Sequence, residues 1–142
     1  MINNKDAVME KYHELAFYTL AHTDPAFIHQ HIVDAFAAQN ADEQDKPIRP
    51  AFALLGLYLF LERDYTGKQV QRAHMLLTQR RKRWPSFSLP AQRGDVTAAD
   101  VVMMPPGKQR DQMIRTWCVS VWQSYAALHK EIADLWEQTM AD

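Results

Sequence analysis

KQRDQMIRTWCVSVWQSYAALHKEIADLWEQT, residues 108 to 139, carries Ile114, Val121, Leu128 and Leu135 at intervals of seven residues, with Cys118, Tyr125 and Ile132 alongside. Apolar residues at that spacing fall on one side of a helix, so the segment is predicted to form one long C-terminal helix from about Lys108 to Thr139. A strip of that length needs several partner helices to cover it. The expected fold is therefore a compact all-α bundle of about five to six helices, forming a single domain over residues 1–142.

The partners are read by moving towards the N-terminus. Thr97 and Asp100 have the spacing of a capping box on a short helix that ends before PPG at 105–107. RWPSFSLPAQRGDV, residues 83–96, has the densest proline and glycine usage and reads as an ordered loop pinned by Trp84, Phe87 and Leu89. Thr66 and Gln69 suggest another capping box, opening a helix to about Lys82 whose inner stripe is Val70, Ala73, His74 and Leu77. AFALLGLYLFLE, residues 51–62, is apolar almost all round and so is expected to be the most buried helix. Its leucines and alanines favour helix, while Gly56 and its aromatics leave a strand open. NADEQDKPIRP at 40–50 is a connection. Asp24 and Pro25 read as N-cap and first residue of a helix running to about Asn40. The first helix spans about Lys5 to Ala21. Val8, Tyr12, Leu15 and Thr19 form one flank of its stripe, and Met9, His13, Ala16 and Leu20 the other.

Composition agrees with a helical globular domain: 47% hydrophobic, 23% charged, a formal net charge of −1 and four glycines in 142 residues. No apolar run approaches the ~20 residues of a membrane span. The N-terminus lacks the apolar core of a secretory signal. The single cysteine, Cys118, excludes an intrachain disulfide and fits a cytoplasmic location. It is expected to be a small buried hydrophobe on the inner strip of the last helix.

The histidines raise the functional question. His13, His29, His74 and His129 each lie on or beside the predicted apolar face of a different helix. His22 sits at a helix end, where an imidazolium complements the carbonyls. His31 is two residues from His29, about 200° around a helix, so the two cannot chelate one ion and His31 is expected to point away from the core. Imidazoles from separate helices suit Zn²⁺ or a similar divalent metal with water in an open position. Glu10 and His13 add one Glu-x-x-His spacing, without the second that a di-metal site needs. In such a pocket, Glu14 or Asp34 would take the proton of a metal-activated water in a hydrolytic reaction. The plainer reading is that each histidine is a neutral core residue with one ring nitrogen hydrogen-bonded.

Two other features compete. Trp117, Trp122 and Trp136 cannot all face one core from a single helix, so a tryptophan-bearing flank would serve as a homodimer interface or docking surface. Eight of the sixteen Lys and Arg residues lie between Arg63 and Arg93, against Asp64 alone. Arg80 to Arg83 followed by Trp84 could grip phosphates and stack a base, but a solvated helix end explains the run equally and the chain is slightly acidic overall.

YHELAFYTLAHTDPAFIHQHIVDAFAAQ (12–39), LLGLYLFLER (54–63), GDVTAADVV (94–102) and WCVSVWQSYAALHKEI (117–132) together resemble an uncharacterised bacterial family of unknown function. The resemblance covers roughly Tyr12 to Trp136 and brings no activity with it. It singles out His13, Glu14, His29, Asp34, Gln39, Trp117, Trp122 and His129. Two departures stand out: an N-terminal Cys-x-x-Cys segment of some members is missing, and Asn40 follows Gln39 where the family usually has His-Pro. The resulting expectation is a divalent-metal pocket lined by His13, His29 and His129, with Glu14 and Asp34 as acid–base groups. The alternatives are a non-catalytic interaction module with structural histidines and, least supported, an anion or nucleic-acid binder.

Overall fold

The computed structural model describes residues 4–21 and 24–141. His22, expected at a helix end, lies outside them. The described residues form seven α-helices and no strand: α1 (Asn4–Ala21), α2 (His29–Gln39), α3 (Ile48–Arg63), α4 (Gly67–Arg80), α5 (Ala98–Met103), α6 (Lys108–Ser124) and α7 (His129–Met140). α3 is the hydrophobic centre, with Leu54, Leu55, Leu57 and Leu59 all fully buried. Each such side chain contributes about 1.5–3 kcal/mol of burial free energy. α2 lies against α1, α3, α4 and α6, so most of its circumference is covered.

The predicted long C-terminal helix is two helices. α6 ends at Ser124, a 3₁₀ turn covers Ala126–Leu128, and α7 begins at His129. The break is made by hydrogen bonds. Tyr125 N–H donates to the Trp122 carbonyl at 3.0 Å, one residue short of the α-helical partner. His129 Nε2 reaches the same carbonyl at 2.8 Å, and its ring stacks on Trp122 with centroids 3.9 Å apart. A carbonyl cannot donate, so Nε2 carries the proton in this contact. Ile114, Val121, Ile132 and Leu135 are buried as the seven-residue strip requires, whereas Leu128, in the turn, is half-buried.

α2 also starts later than its cap signal suggests. Asp24 accepts from Ala26 N–H (3.0 Å) and Ile28 N–H (2.7 Å), closing a tight turn rather than a helix. Phe27 then takes φ 56°, which interrupts helical propagation. That turn docks on α4: Lys68 N–H donates to the Ala26 carbonyl, and a Cβ on Gly67 would stand 1.8 Å from the Phe27 carbonyl oxygen. Only glycine fits there.

The two capping boxes form as read, Thr66 with Gln69 on α4 and Thr97 with Asp100 on α5. The 81–97 loop packs Trp84, Phe87 and Leu89 on the core. Gln39 staples it, donating from Nε2 to the Val96 carbonyl (2.7 Å) and accepting from Trp117 Nε1 (2.9 Å). Arg93 closes the same knot by donating to the carbonyls of Pro90 and Ala41.

α1 departs most from its predicted face. Leu15, Tyr18 and Thr19 are buried, but Met9, Phe17 and Leu20 are 40%, 76% and 61% exposed. On the second flank Ala16 packs on the core, while Met9, His13 and Leu20 are left exposed among the described residues.

Candidate functional site

The three histidines expected to bind a metal do not come together. His13 is exposed on α1. His129 is committed to the Trp122 carbonyl. His29 is half-buried, with Nδ1 2.9 Å from Thr19 Oγ1. Thr19 gives its own proton to the Ala16 carbonyl, so the His29 imidazole donates from Nδ1. Among the described residues, no three His, Cys, Asp or Glu side chains are grouped so as to hold a metal ion. The convergence of helical faces inferred from sequence fails because His29 and His129 each bind a nearby oxygen instead and His13 stays exposed on α1. His74 follows the same rule, with Nε2 donating to the Phe52 carbonyl at 3.0 Å and the ring stacked on Phe52. Burial pushes the pKa of both His29 and His74 down.

If His129 closes the end of α6, its removal should be felt in stability. His129→Ala loses the hydrogen bond and the ring stack, and should lower unfolding free energy by about 1–3 kcal/mol. Urea denaturation followed by tryptophan fluorescence reads this directly. An unchanged midpoint would show that the α6–α7 turn does not need the imidazole.

His31 reverses its expected orientation. It is 4% exposed and lies flat on Phe60, ring centroids 3.6 Å apart. Its Nδ1 is buried without a hydrogen-bond partner, and desolvation takes its pKa down to about 4.

Of the two acid–base candidates, Glu14 is exposed and sits 3.5 Å from Lys11 Nζ. Asp34 is its opposite: 3% exposed, one turn beyond His31 on α2. Oδ1 accepts from Gln30 Nε2 at 3.2 Å, while Oδ2 is buried without a partner. Room for the carboxyl comes from Gly56 on α3, where a Cβ would lie 1.9 Å from Oδ2. Desolvation raises the Asp34 pKa well above the ordinary carboxylate value, opposed only by the Gln30 hydrogen bond. Among the described residues no cation pairs with it, so the carboxyl stays protonated well beyond the usual range.

Asp34 lies in the wall of a cavity of about 500 Å³ between α1, α2, α3 and α4. Tyr12, Gln30, Arg49 and His74 supply its other polar side chains, and Met9, Val33 and Phe52 much of the apolar wall. Tyr12 stacks on Phe36 with centroids 4.0 Å apart. Burial, followed by the nearby Asp34, raises the Tyr12 phenol pKa. A hollow of about 570 Å³ lies between α1 and the 91–99 segment, but Gln39 and Arg93 in its wall are already used to staple the loop.

Several of the other residues singled out by the sequence make contacts within the chain. Trp117, Trp122 and Trp136 are 0%, 3% and 7% exposed, so the tryptophan flank predicted to carry a dimer is core. Trp117 and Trp122 are both covered because α2, α3 and α5 pack around α6, and the change of helix direction after Ser124 places Trp136 on the separate helix α7. Trp122 Nε1 donates to Glu62 at 2.9 Å. Cys118 is fully buried, as expected, and its thiol pKa is pushed up by burial. In the basic segment, Arg80 donates to the Met140 carbonyl and Arg81 to the Arg83 carbonyl, with Arg81 5.7 Å from the Trp84 ring. Sequence reasoning passed over His31 and Tyr12. The one available signal for the cavity was Gly56, an otherwise costly residue inside a helix.

No curated protein and no solved structure matches the chain. A family model, described as a family of unknown function, matches residues 9–126 and takes in α2 to α6, including Asp34 and Gly56. The chain belongs to that family, DUF5946.

Proposed function

We propose that this protein binds a small, largely apolar molecule in the cleft between α1 and α4, with Asp34 as the hydrogen-bond or proton donor to an acceptor oxygen on the ligand. The observation that carries this reading is the buried Asp34 carboxyl, its Oδ2 without a partner, in the wall of a cavity of about 500 Å³. Cavities of that size suit small ligands, and an apolar wall with a few polar groups is the usual composition of such sites. A carboxylic acid whose proton is held by burial is a donor, and it is also what general-acid chemistry requires. Metal is left out of the reading because His13, His29 and His129 supply no common ligand set.

Ligand-observed NMR with small aromatic amides and ketones tests this. One saturable site is expected, abolished by Ala37→Trp, which fills the cleft. Asp34→Asn should keep binding, because its amide still donates, but remove the pH dependence. Binding that persists unchanged in Ala37→Trp would refute the assignment.

A second reading, an interaction module, draws support from Phe17, Leu20 and Met103, which are 76%, 61% and 81% exposed. Here the contact would be the outer side of α1 and α5, in place of the tryptophans. The solution mass of Phe17→Ser/Leu20→Ser against the parent separates the two readings.

A further inference from the structure

A second cavity, of about 530 Å³, lies on the other side of α2, where α1 and α3 end and α6 begins. Among the described residues its wall carries three carboxylates, Asp24, Asp64 and Asp111, and no lysine or arginine. None of the three forms an ion pair among the described residues. Asp24 holds the backbone turn, and Asp111 accepts from Tyr18 Oη at 2.7 Å. These bonds leave lone pairs on each carboxylate but bring no positive charge. The arginines of α6 are turned to rings: Arg110 lies 4.6 Å from the Tyr18 centroid and Arg115 5.2 Å from Phe60. Phe60 and Tyr65 give the cavity an aromatic wall.

His31 supplies the independent sign of a ligand. It lines this cavity, is 4% exposed, and has no partner at Nδ1. A buried polar atom left unsatisfied costs about 1–3 kcal/mol, so such atoms concentrate where something else completes them. Being neutral at pH 7, the ring adds no charge that would repel a cation.

We propose that this cavity binds a small organic ammonium compound, drawn in by the carboxylates of Asp24, Asp64 and Asp111, which do not converge on one point, with its body against Tyr65 and the edge of Phe60. Carboxylates supply long-range attraction, and the Tyr65 ring adds a cation–π contribution of about 0.5–2 kcal/mol, the faces of Phe60 being taken by His31 and Arg115. The site is independent of Asp34 and stands or falls without it.

Calorimetric titration of the full chain with phenethylammonium is the test, with 2-phenylethanol as the uncharged counterpart. Saturable binding of the amine is expected, weakening as salt is raised. The double variant Asp64→Asn/Asp111→Asn should weaken it about tenfold or more, a loss of roughly 1.4 kcal/mol. Both residues are exposed, so the variant should melt as the parent does. Asp34→Asn should leave amine binding unchanged. Equal binding of the alcohol, amine binding indifferent to the double variant, or saturable binding of Mn²⁺ without the amine would each overturn the proposal.

Discussion

Gly56→Ala should be strongly destabilising in the parent chain and harmless once the Asp34 carboxyl has been removed. The three atoms nearest a Cβ at position 56 all belong to the Asp34 side chain: Oδ2 at 1.9 Å, Cγ at 2.5 Å and Oδ1 at 3.1 Å. A methyl group cannot occupy that space, and α2 cannot retreat because α1, α4 and α6 also press on it. Overpacking of this kind costs about 1–3 kcal/mol, and more where the neighbour is rigid. In an Asp34→Ala background the obstacle is gone, and the ordinary helical preference for alanine over glycine returns, about 0.5–1 kcal/mol. The sign of the Gly56→Ala effect should therefore reverse between backgrounds. A double-mutant cycle by urea denaturation gives the coupling, expected at about 2–3 kcal/mol. Additivity would mean that Gly56 is required for some reason other than the carboxyl it accommodates.

The same pair shows what the sequence could reveal. All-α architecture was legible because periodicity reports which residues share a helix face, and both capping boxes were legible because they are local. Whether a face is covered depends on neighbours. α1 has a well-formed Met9–His13–Leu20 flank, yet α2 and α5 lie on its other side and the flank remains in water. With His29 placed inward, helix geometry predicts that His31 points outward. Their angular separation holds, but α2 is surrounded, and the side carrying His31 and Asp34 faces α3. The break after Ser124 was hidden for a different reason. Neither proline nor glycine marks it; a hydrogen bond from His129 to the Trp122 carbonyl does. Asp34 was named as an acid–base candidate, but its setting was out of reach, since burial of a carboxyl without a cation belongs to the assembled α2–α3 interface.

That interface should write two opposing slopes into the pH dependence of stability. The unfolded Asp34 titrates near ~3.9, whereas the folded carboxyl keeps its proton well above that value. Folding therefore takes up a proton at Asp34, and stability falls as pH rises from about 4 towards the folded pKa, by up to ~1.4 kcal/mol per pH unit. His31 acts in the other direction. Its folded pKa is about 4, against ~6.5 in the unfolded chain, so its contribution is complete above ~6.5 and is lost as pH falls to about 4. The loss amounts to about 3 kcal/mol over that window. His29 and His74, also lowered by burial, add to the same slope in every variant. Asp34→Asn should consequently gain on the parent steadily as pH rises above ~4, while His31→Phe, which preserves the ring stack on Phe60, should gain on it only as pH falls from ~6.5 to ~4. Urea unfolding of the three proteins from acid to mildly alkaline pH measures both differences. Parallel profiles would mean that neither group is held in its uncharged form by folding. A divergence confined to Asp34→Asn would leave the neutral carboxyl of the α1–α4 cleft in place and return His31 to an ordinary, solvated titration. The reverse divergence would remove the donor on which the ligand-binding reading depends.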